Sequence, residues 1–373
     1  MKRREFMQKA AATLVVTGAA VACGPGPAGE HGAPAVHAAK NVMWKLASSF
    51  PRGLDTIYGG AEALAQRVDA MTGGSFKIRC YPAGEIVPAL AVLDAVQQET
   101  VQIGHTASYY YTGKNPVLAF DTAVPFGLTA RQQAAWMAYG GGRELLQPVF
   151  ADFGIISFSG GNTGAQMGGW FRREVGEVAD LQGLKMRIPG LGGDVMSRLG
   201  ATVQVLAGGD IYPALERGAI DATEWVGPYD DEKLGFHKVA KYYYYPGWWE
   251  PGPALSFYVN RKAWDSLPKI YQEVFVAATA EANLGMLANY DAKNPPAMAR
   301  LRAAGVELRP FSDSILAAAY REAEALLGEQ AAADAAYGKV YDAWRKFRAE
   351  SHRWFATAEA AFAAFTFPRA AEP

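Results

Sequence analysis

From residue 42 onwards, short apolar runs alternate with amphipathic segments. Alternating or continuous apolar residues at 42–47 predict a strand, and apolar residues at helical spacing from Ala61 to Met71 predict a helix ended by Gly73-Gly74. A strand at 76–81, a helix at 86–97 and a strand at 101–105 follow. This order of elements is typical of an α/β fold with a mostly parallel sheet.

The same unit appears a second time further along the chain. Predicted strands alternate with helices at 193–199 and 212–217, and the strands lie at 154–158, 184–188, 201–205 and 219–224. In both halves a helix leads through a short turn into a strand, and an aromatic-rich loop follows. We therefore expect two α/β lobes that face each other across a cleft.

The last third of the chain is predicted to be mainly helical after one more strand at 257–260. A helix at 269–292 is expected to end at Asn294-Pro295-Pro296, a short strand at 306–308 follows, and the remaining segments, 312–328 and 331–365, are helical. The final helix carries an apolar stripe that must be covered, either by the lobes or by a partner subunit. Its members are Tyr337, Val340, Tyr341, Trp344, Phe347, Phe355 and Phe362.

Composition narrows the classes of function. The chain has 373 residues, of which half are apolar, and its formal net charge is −1. It is long enough for a large core, and it has no basic field of the kind that binds nucleic acid. The N-terminal segment differs in composition from the remainder of the chain. Residues 1–22 combine Arg3-Arg4-Glu5-Phe6-Met7 with an apolar run at 10–22. This pattern indicates a twin-arginine export signal and therefore a periplasmic protein.

Cys23 follows this signal and allows two interpretations. Residues 20–23 resemble a lipoprotein box, in which Cys23 would carry a lipid anchor, whereas ordinary cleavage in the same region would leave no anchor. Residues 23–40 are rich in Gly, Pro and Ala, as expected for a tether. The other cysteine is Cys80, so a lipidated Cys23 would have no disulfide partner.

Several common catalytic motifs are missing from the sequence. It has no HExxH zinc motif, no phosphate-binding GxxxxGK loop and no GxSxG elbow. Polar residues instead collect at the ends of predicted elements: amides at 161–170, Arg187 after an apolar strand, and Glu224 at the end of another. An arginine at the carboxyl end of a strand in an α/β sheet points towards the usual ligand crevice, and its guanidinium suits a carboxylate. We expect Asp230 and Asp231 to form a solvated turn.

Three segments, at 186–190, 216–219 and 220–225, resemble the solute-binding receptors of TRAP transporters. The similarity extends from about residue 42 to beyond 250. The segments 105–110, 161–170 and 248–252 are similar to the branch that binds small 2-oxo or 2-hydroxy monocarboxylates, such as pyruvate or lactate, together with a metal ion. The resemblance implies a two-lobed periplasmic-binding-protein-like α/β fold with long C-terminal helices, and TRAP membrane subunits as partners.

The resemblance also implies site residues. Arg187 would hold the ligand carboxylate, with Asn162 and Gln166 as amide contacts, and aromatic walls would come from Phe50, Tyr109, Trp225 and Trp249. Gln166, Glu224, the Trp225 carbonyl and Glu250 would form an oxygen cage for Na⁺ or Ca²⁺, since hard oxygen donors suit these ions and not zinc. Lobe one is expected at 41–163 plus 253–293, and lobe two at 164–252 plus 294–373 with the C-terminal helices.

Two further functions use the same residues. A metal, an arginine and two glutamates would also serve a lyase or isomerase acting on an oxo acid, with His105 as the base. A receptor that presents its ligand to a sensor kinase would need the same binding site. The C-terminal aromatic stripe further suggests a homodimer.

Overall fold

The computed structural model describes residues 40–370 of the chain. The predicted export signal, the tether up to residue 39 and Cys23 lie outside the described residues. Within residues 40–370 there are eleven strands: β1 Val42–Ser48, β2 Phe76–Tyr81, β3 Ile103–Thr106, β4 Ile155–Asn162, β5 Trp170–Phe171, β6 Lys185–Arg187, β7 Thr202–Gln204, β8 Ala222–Thr223, β9 Tyr242–Tyr245, β10 Ala254–Asn260 and β11 Glu307–Pro310.

The described residues also form thirteen α-helices. They are α1 Gly59–Met71, α2 Val92–Gln97, α3 Ala119–Thr122, α4 Ala130–Tyr139, α5 Gly142–Asp152, α6 Gly190–Arg198, α7 Gly208–Glu216, α8 Pro228–Leu234, α9 Arg261–Asp265, α10 Lys269–Ala303, α11 Asp313–Ala333, α12 Ala335–Phe355 and α13 Ala361–Ala370. None of these helices has the length and hydrophobicity needed to span a bilayer.

The strands form two separate sheets. The first has the order β2-β1-β3-β10-β4, and the second has the order β11-β9-β5-β8-β6-β7. In the first sheet β1 pairs in parallel with β2 and β3, but β10 is antiparallel to both of its neighbours. The second sheet is mixed in the same way, because β5 is antiparallel to β8 and β9. The predicted α/β class with two sheets is therefore confirmed, although the sheets are less parallel than expected.

The chain passes between the sheets at places close to the predicted lobe limits. It leaves the first sheet at the end of β4, residue 162, and returns at the start of β10, residue 254. Residues 163 and 252 lie close to these crossings and residue 293 lies inside α10, and the lobe limits themselves remain predictions.

The predicted helix end at Asn294-Pro295-Pro296 is wrong, because α10 continues through both prolines to Ala303. A proline inside a helix removes a backbone hydrogen bond, so packing must compensate for the loss. The helix is held on both sides of the prolines: Tyr290 is fully buried before them, and Arg300 pairs with Glu232 of α8 after them. Asn294 also accepts a hydrogen bond from the Tyr229 amide at 3.0 Å.

The C-terminal aromatic stripe divides into two parts. Tyr337, Val340, Tyr341 and Trp344 are buried, and Trp344 packs edge-on against Phe120 at 5.6 Å between ring centroids. Of the remaining members, Phe347 packs partly buried against the same core and the Arg131 guanidinium lies over the Phe355 ring at 4.6 Å, whereas Phe362 is exposed. Further large apolar side chains near Phe362, outside the stripe, are also more than half exposed: Trp354, Phe365 and Phe367.

Candidate functional site

Arg187 ends β6 and points into the space between the two sheets with only 1% of its surface exposed. Its Nε donates to the Leu206 carbonyl at 3.1 Å, and its Nη1 donates to the Glu224 carbonyl at 3.1 Å and forms an ion pair with the Glu224 carboxylate. Its Nη2 is buried and has no hydrogen-bond partner. The guanidinium is therefore fixed along one edge and keeps a free donor on the other.

Glu224 directly follows β8, beside Arg187, and is fully buried. Burial raises the pKa of its carboxyl to about 7; Arg187 lowers this pKa and Asp231 raises it. Its Oε2 is buried without a partner. A buried carboxylate with an unused oxygen is unfavourable unless a cation or a donor satisfies it.

Glu250 and Gln166 complete the polar group. Burial raises the pKa of the Glu250 carboxyl well above its ordinary value, and the nearby Glu224 carboxylate adds to this effect, while Arg187 and Tyr109 oppose it. Gln166 donates through Nε2 to Thr163 Oγ1 at 3.1 Å, which leaves its Oε1 buried without a partner. The Oε2 of Glu250 is also buried without a partner.

Backbone hydrogen bonds join the three segments that carry these oxygens. The Gln166 amide donates to the Glu250 carbonyl at 3.1 Å, and the Met167 amide donates to the Val226 carbonyl at 3.1 Å. The Gly247 amide donates to the Gln166 carbonyl at 3.0 Å. Gln166 therefore lies between the segment of Glu224 and the segment of Glu250, and main-chain contacts set their spacing.

A small cavity of about 10 Å³, enough for roughly one water molecule, lies at this position. Its walls combine residues from the side of the first sheet with residues from the second, and most of them are apolar or aromatic. The lining consists of Phe50, Ile57, Tyr109, Tyr110, Thr163, Gln166, Arg187, Trp225, Val226, Pro253 and Leu255. The Arg187 guanidinium lies over the Trp225 ring at 5.3 Å from its centroid.

Five of the residues predicted for ligand binding line this cavity: Phe50, Tyr109, Gln166, Arg187 and Trp225. Two others do not. Asn162 donates to the Gly252 carbonyl at 3.0 Å and accepts from the Gly164 amide at 2.8 Å, so both ends of its amide hold the chain crossing. Trp249 packs against Trp248 and Phe311 in the core.

Tyr110 and Thr163 are lining residues that the sequence prediction did not include. Ser108–Tyr111 forms a 3₁₀ turn within the predicted aromatic loop, so the rings of Tyr109 and Tyr110 meet at 4.9 Å and both reach the cavity. The run of three tyrosines was the available signal, but the sequence of a loop does not show which of its side chains turn to the same side.

Two sequence-based interpretations need correction. His105 was considered as a base, but it is completely buried outside the cavity lining, and burial lowers its pKa to about 3. Asp230 and Asp231 do not form a solvated turn. Both lie in α8 and are buried, and burial raises the pKa of Asp230 to about 7 and that of Asp231 to about 6.

The donor set suits a hard cation. The oxygens without partners come from two carboxylates and one amide, and such oxygens are preferred by Na⁺ and Ca²⁺. Within residues 40–370 no cluster of three or more His, Cys, Asp or Glu side chains is arranged to hold a metal. Any ion here would therefore rely on the amide, a backbone carbonyl and the ligand for its remaining contacts.

Known proteins are similar to this chain over most of its length. A family model described as bacterial extracellular solute-binding protein, family 7, matches residues 47–334. A monocarboxylate 2-oxoacid-binding periplasmic protein of Nostoc sp. is 55% identical over 355 residues, which cover 95% of this chain and 96% of the relative.

Two solved structures are also similar. A TRAP transporter solute-binding protein of Bordetella bronchiseptica shares 47% identity with a TM-score of 0.88, covering 89% of this chain and 99% of that one. It is a mixed-occupancy dimer with calcium and picolinate in one site. A TRAP periplasmic solute-binding protein of Pseudoalteromonas atlantica, with bound sodium and pyruvate, shares 40% identity with a TM-score of 0.85, covering 87% and 99%.

The two sheets and the aromatic cavity that reaches Arg187 and Gln166 define a two-lobed α/β ligand-binding protein. The extent of the family match makes the assignment more specific. The chain belongs to family 7 of the bacterial extracellular solute-binding proteins, and within it to the TRAP transporter receptors.

Proposed function

We propose that this chain captures a small 2-oxo or 2-hydroxy monocarboxylate, of the pyruvate or lactate class, together with Na⁺ or Ca²⁺, for a TRAP transporter. One observation carries the proposal: four buried polar atoms without partners lie at or directly beside one cavity. Arg187 Nη2 and Gln166 Oε1 belong to residues that line it, and Glu224 Oε2 and Glu250 Oε2 belong to carboxylates next to Arg187. Buried polar atoms are almost always hydrogen-bonded, so this concentration indicates a site that a charged ligand completes.

The chemistry of these atoms assigns their roles. The free Nη2 of Arg187 would donate to the ligand carboxylate, because guanidinium and carboxylate form strong charge-assisted hydrogen bonds. Gln166, Glu224, the Trp225 carbonyl and Glu250 would hold the cation. A bound cation would supply the positive charge that two buried glutamates need and would bind the carboxylate oxygen together with the 2-oxo or 2-hydroxyl oxygen. This second contact would favour 2-substituted acids over simple fatty acids.

The cavity walls limit the size of the ligand. Phe50 is 1% exposed and lies edge-on to Trp225 at 6.5 Å between ring centroids, and Tyr109 lies on the same cavity. The cavity is smaller than such an acid, so the aromatic walls must shift to admit it, and walls packed this tightly would favour a short carbon chain. A free acid of this size makes few contacts, so affinity must come from the ionic groups.

Closure of the two lobes would bury the ligand, and the closed form would be recognised by the membrane subunits of the transporter. The proposal is supported by the lining, in which Phe50 and Tyr109 follow strands of the first sheet and Arg187 and Trp225 follow strands of the second. The lobe limits given above remain predictions of the sequence. A receptor for a sensor kinase would use an identical site.

We infer that no bond is made or broken in this site. The enzyme alternative required His105 as a base, but the His105 Nδ1 lies 3.2 Å from Ser48 Oγ and the ring packs between Phe50 and Phe257, outside the cavity lining. A general base must reach the proton that it removes. The family match to solute-binding proteins also supports a binding function.

We further propose a homodimer that covers the exposed end of the C-terminal helices. Trp354, Phe362, Phe365 and Phe367 are each more than 60% exposed on this segment, and apolar patches of this kind mark interaction sites. Removal of residues 354–373 would then convert a dimer into a monomer in analytical ultracentrifugation. A full-length chain that sediments as a monomer at micromolar concentration would contradict the dimer.

Export by the twin-arginine route to the periplasm is also part of the proposal, and for Cys23 both a lipid anchor and ordinary cleavage stay open. Labelling with a radioactive fatty acid, compared between the wild type and Cys23→Ser, would decide whether Cys23 is lipidated. Lys substitutions at Arg3 and Arg4 should block export if the twin-arginine route is used.

A thermal-shift panel on the mature chain tests the ligand. Pyruvate, lactate, 2-oxobutyrate, 2-oxoglutarate, a sugar and an amino acid are compared with chelator and with added Na⁺ or Ca²⁺, since a ligand that binds only the folded state raises the melting temperature. A shift for short 2-oxo or 2-hydroxy acids that disappears without cation is expected. A shift for the sugar or amino acid alone, repeated after unfolding and refolding to remove trapped ligand, would overturn the assignment.

A further inference from the structure

Two neighbouring aspartates on α8 are buried next to the site without a basic partner. Asp230 is fully buried and Asp231 is 1% exposed. Within residues 40–370 neither forms an ion pair, because the nearby Lys233 pairs with Asp55. A buried carboxylate is unfavourable unless hydrogen bonds use its oxygens, so the contacts of these two residues indicate their purpose.

Asp231 makes three hydrogen bonds to three different segments. Its Oδ2 accepts from the Trp170 indole at 2.9 Å and from the Tyr243 hydroxyl at 2.7 Å, and these two rings stack at 4.0 Å. Its Oδ1 accepts from the Val226 amide at 3.3 Å. The carboxylate therefore joins two strands of the second sheet, β5 and β9, to the segment that follows β8.

Val226 transmits this contact to the site. It directly follows Glu224 and Trp225, and its own carbonyl accepts from the Met167 amide at 3.1 Å, next to Gln166. Asp231 therefore holds the backbone amide of Val226, and the carbonyl of Val226 holds the segment that contains Gln166. Two of the three segments of the proposed cation cage meet at Val226.

Asp230 has different contacts. Its Oδ2 accepts from the Tyr290 hydroxyl of α10 at 2.7 Å, and it has no hydrogen bond to the backbone of residues 224–226. The Tyr290 hydroxyl is as buried as that of Tyr243 and also donates to a carboxylate. The two tyrosines therefore form a matched pair of probes, one for each aspartate.

We propose that Asp231 is a positioning residue of the site, which holds Val226 so that Glu224, the Trp225 carbonyl and Gln166 keep the spacing that the cation and ligand require. The inference rests on the proposed function. Asp231 itself does not line the cavity, so it would act only through the segment that it holds. A displacement of that segment would affect the cation first, because both Glu224 and Gln166 would move.

The test compares Asp231→Asn with the wild type. Pyruvate affinity is measured by calorimetry at saturating CaCl₂, together with the Ca²⁺ concentration for half-maximal binding and the melting temperatures with and without Ca²⁺ and pyruvate. Asparagine has the same shape, but its NH₂ group must face donors in either orientation: the Trp170 indole and the Tyr243 hydroxyl at the Oδ2 position, or the Val226 amide at the Oδ1 position. We expect pyruvate affinity to fall at least tenfold, the Ca²⁺ requirement to rise, and the ligand-induced thermal shift to shrink.

A purely structural role gives a different result. It would lower both melting temperatures equally and leave pyruvate affinity and Ca²⁺ requirement within twofold of the wild type, which would overturn the inference. Tyr243→Phe removes one donor to Asp231 and keeps the stacked ring, so it should weaken binding about threefold. If Asp231→Asn does not fold, Tyr243→Phe becomes the test of the positioning role. Unchanged pyruvate affinity in Tyr243→Phe would then overturn the inference.

Tyr290→Phe is the control, and it should change pyruvate affinity less than twofold. An equal loss in Tyr290→Phe and Tyr243→Phe would assign the effect to general packing around α8 and would overturn the role of Asp231. A wild-type chain that shows no cation-dependent response to any 2-oxo acid would instead defeat the proposed function. A wrong role for Asp231 and a wrong proposed function would therefore give different results.

Discussion

The Arg187 guanidinium and the Glu224 carboxylate form an ion pair in which each side chain is 1% exposed. Each partner also retains one terminal atom without a hydrogen bond, Nη2 of Arg187 and Oε2 of Glu224. A pair of charges buried only for stability would use all of its donors and acceptors, because burial is costly. The free atoms indicate that a ligand and a cation are the missing partners.

Arg187→Ala is expected to weaken pyruvate binding about 10- to 100-fold, because the charge-assisted contact from its free Nη2 would contribute roughly 1.5–3 kcal/mol. The variant should also be less stable, since the loss of one partner leaves a buried charge. Calorimetry with pyruvate and CaCl₂ measures the first effect. Arg187→Ala combined with Glu224→Gln should recover stability without recovering binding, and near-native affinity in Arg187→Ala would remove Arg187 from the site.

Glu224→Gln is expected to weaken cation and ligand together, by about tenfold each, because it removes one of two charged oxygen ligands. Pyruvate titrations at a series of Ca²⁺ concentrations measure both effects. Glu232→Gln is the control, since Glu232 lies on α8, pairs with Arg300 at the surface and does not line the cavity. A variant with unchanged bound metal would contradict the proposed cage.

The burial of His105 should make the folded protein less stable in acid. Burial lowers its pKa from 6.5 to about 3, so the unfolded chain binds a proton below pH 6.5 that the folded chain does not. This contribution to stability is complete above pH 6.5 and is lost as the pH falls towards 3. Melting temperatures between pH 7 and pH 4 should therefore fall more steeply for the wild type than for His105→Gln. Parallel curves would show that His105 titrates normally.

Asp55 should contribute to lobe closure, and this contribution should become smaller as the salt concentration rises. It follows β1 of the first sheet and accepts hydrogen bonds from Tyr229 at 3.0 Å and from Lys293 at 2.9 Å, and it also pairs with Lys233. Tyr229 and Lys233 belong to α8, between strands of the second sheet. Exposed ion pairs contribute only about 0.2–1 kcal/mol each, so Asp55→Asn should weaken pyruvate binding two- to fivefold, through faster release.

Stopped-flow measurement of release at low and high salt tests this effect, because screening should reduce the difference between Asp55→Asn and the wild type. Glu99→Gln is a matched control, since Glu99 pairs with Lys262 within the first sheet's own connections. If Glu99→Gln speeds release as much as Asp55→Asn does, the effect is not specific to the contact between the lobes.

The cavity also shows which parts of a site can be predicted from a sequence. Arg187 and Trp225 are near the ends of predicted strands, and such positions meet at one edge of a sheet whatever the details of packing. Asn162 occurs in the same kind of position, but its amide is fully used by the backbone at Gly164 and Gly252. The sequence does not distinguish an amide that holds a loop from one that faces a ligand.

The sequence by itself determined the α/β class, the repeated lobe pattern and the residues at the strand ends, because hydrophobic periodicity and breaker residues are local properties of the chain. Only the tertiary structure decided the continuity of α10 through two prolines, the turn that brings both Tyr109 and Tyr110 to the cavity, and the burial of Asp230 and Asp231. These features depend on contacts between residues far apart in the chain, such as Tyr290 with Asp230, and such packing overrides local preference.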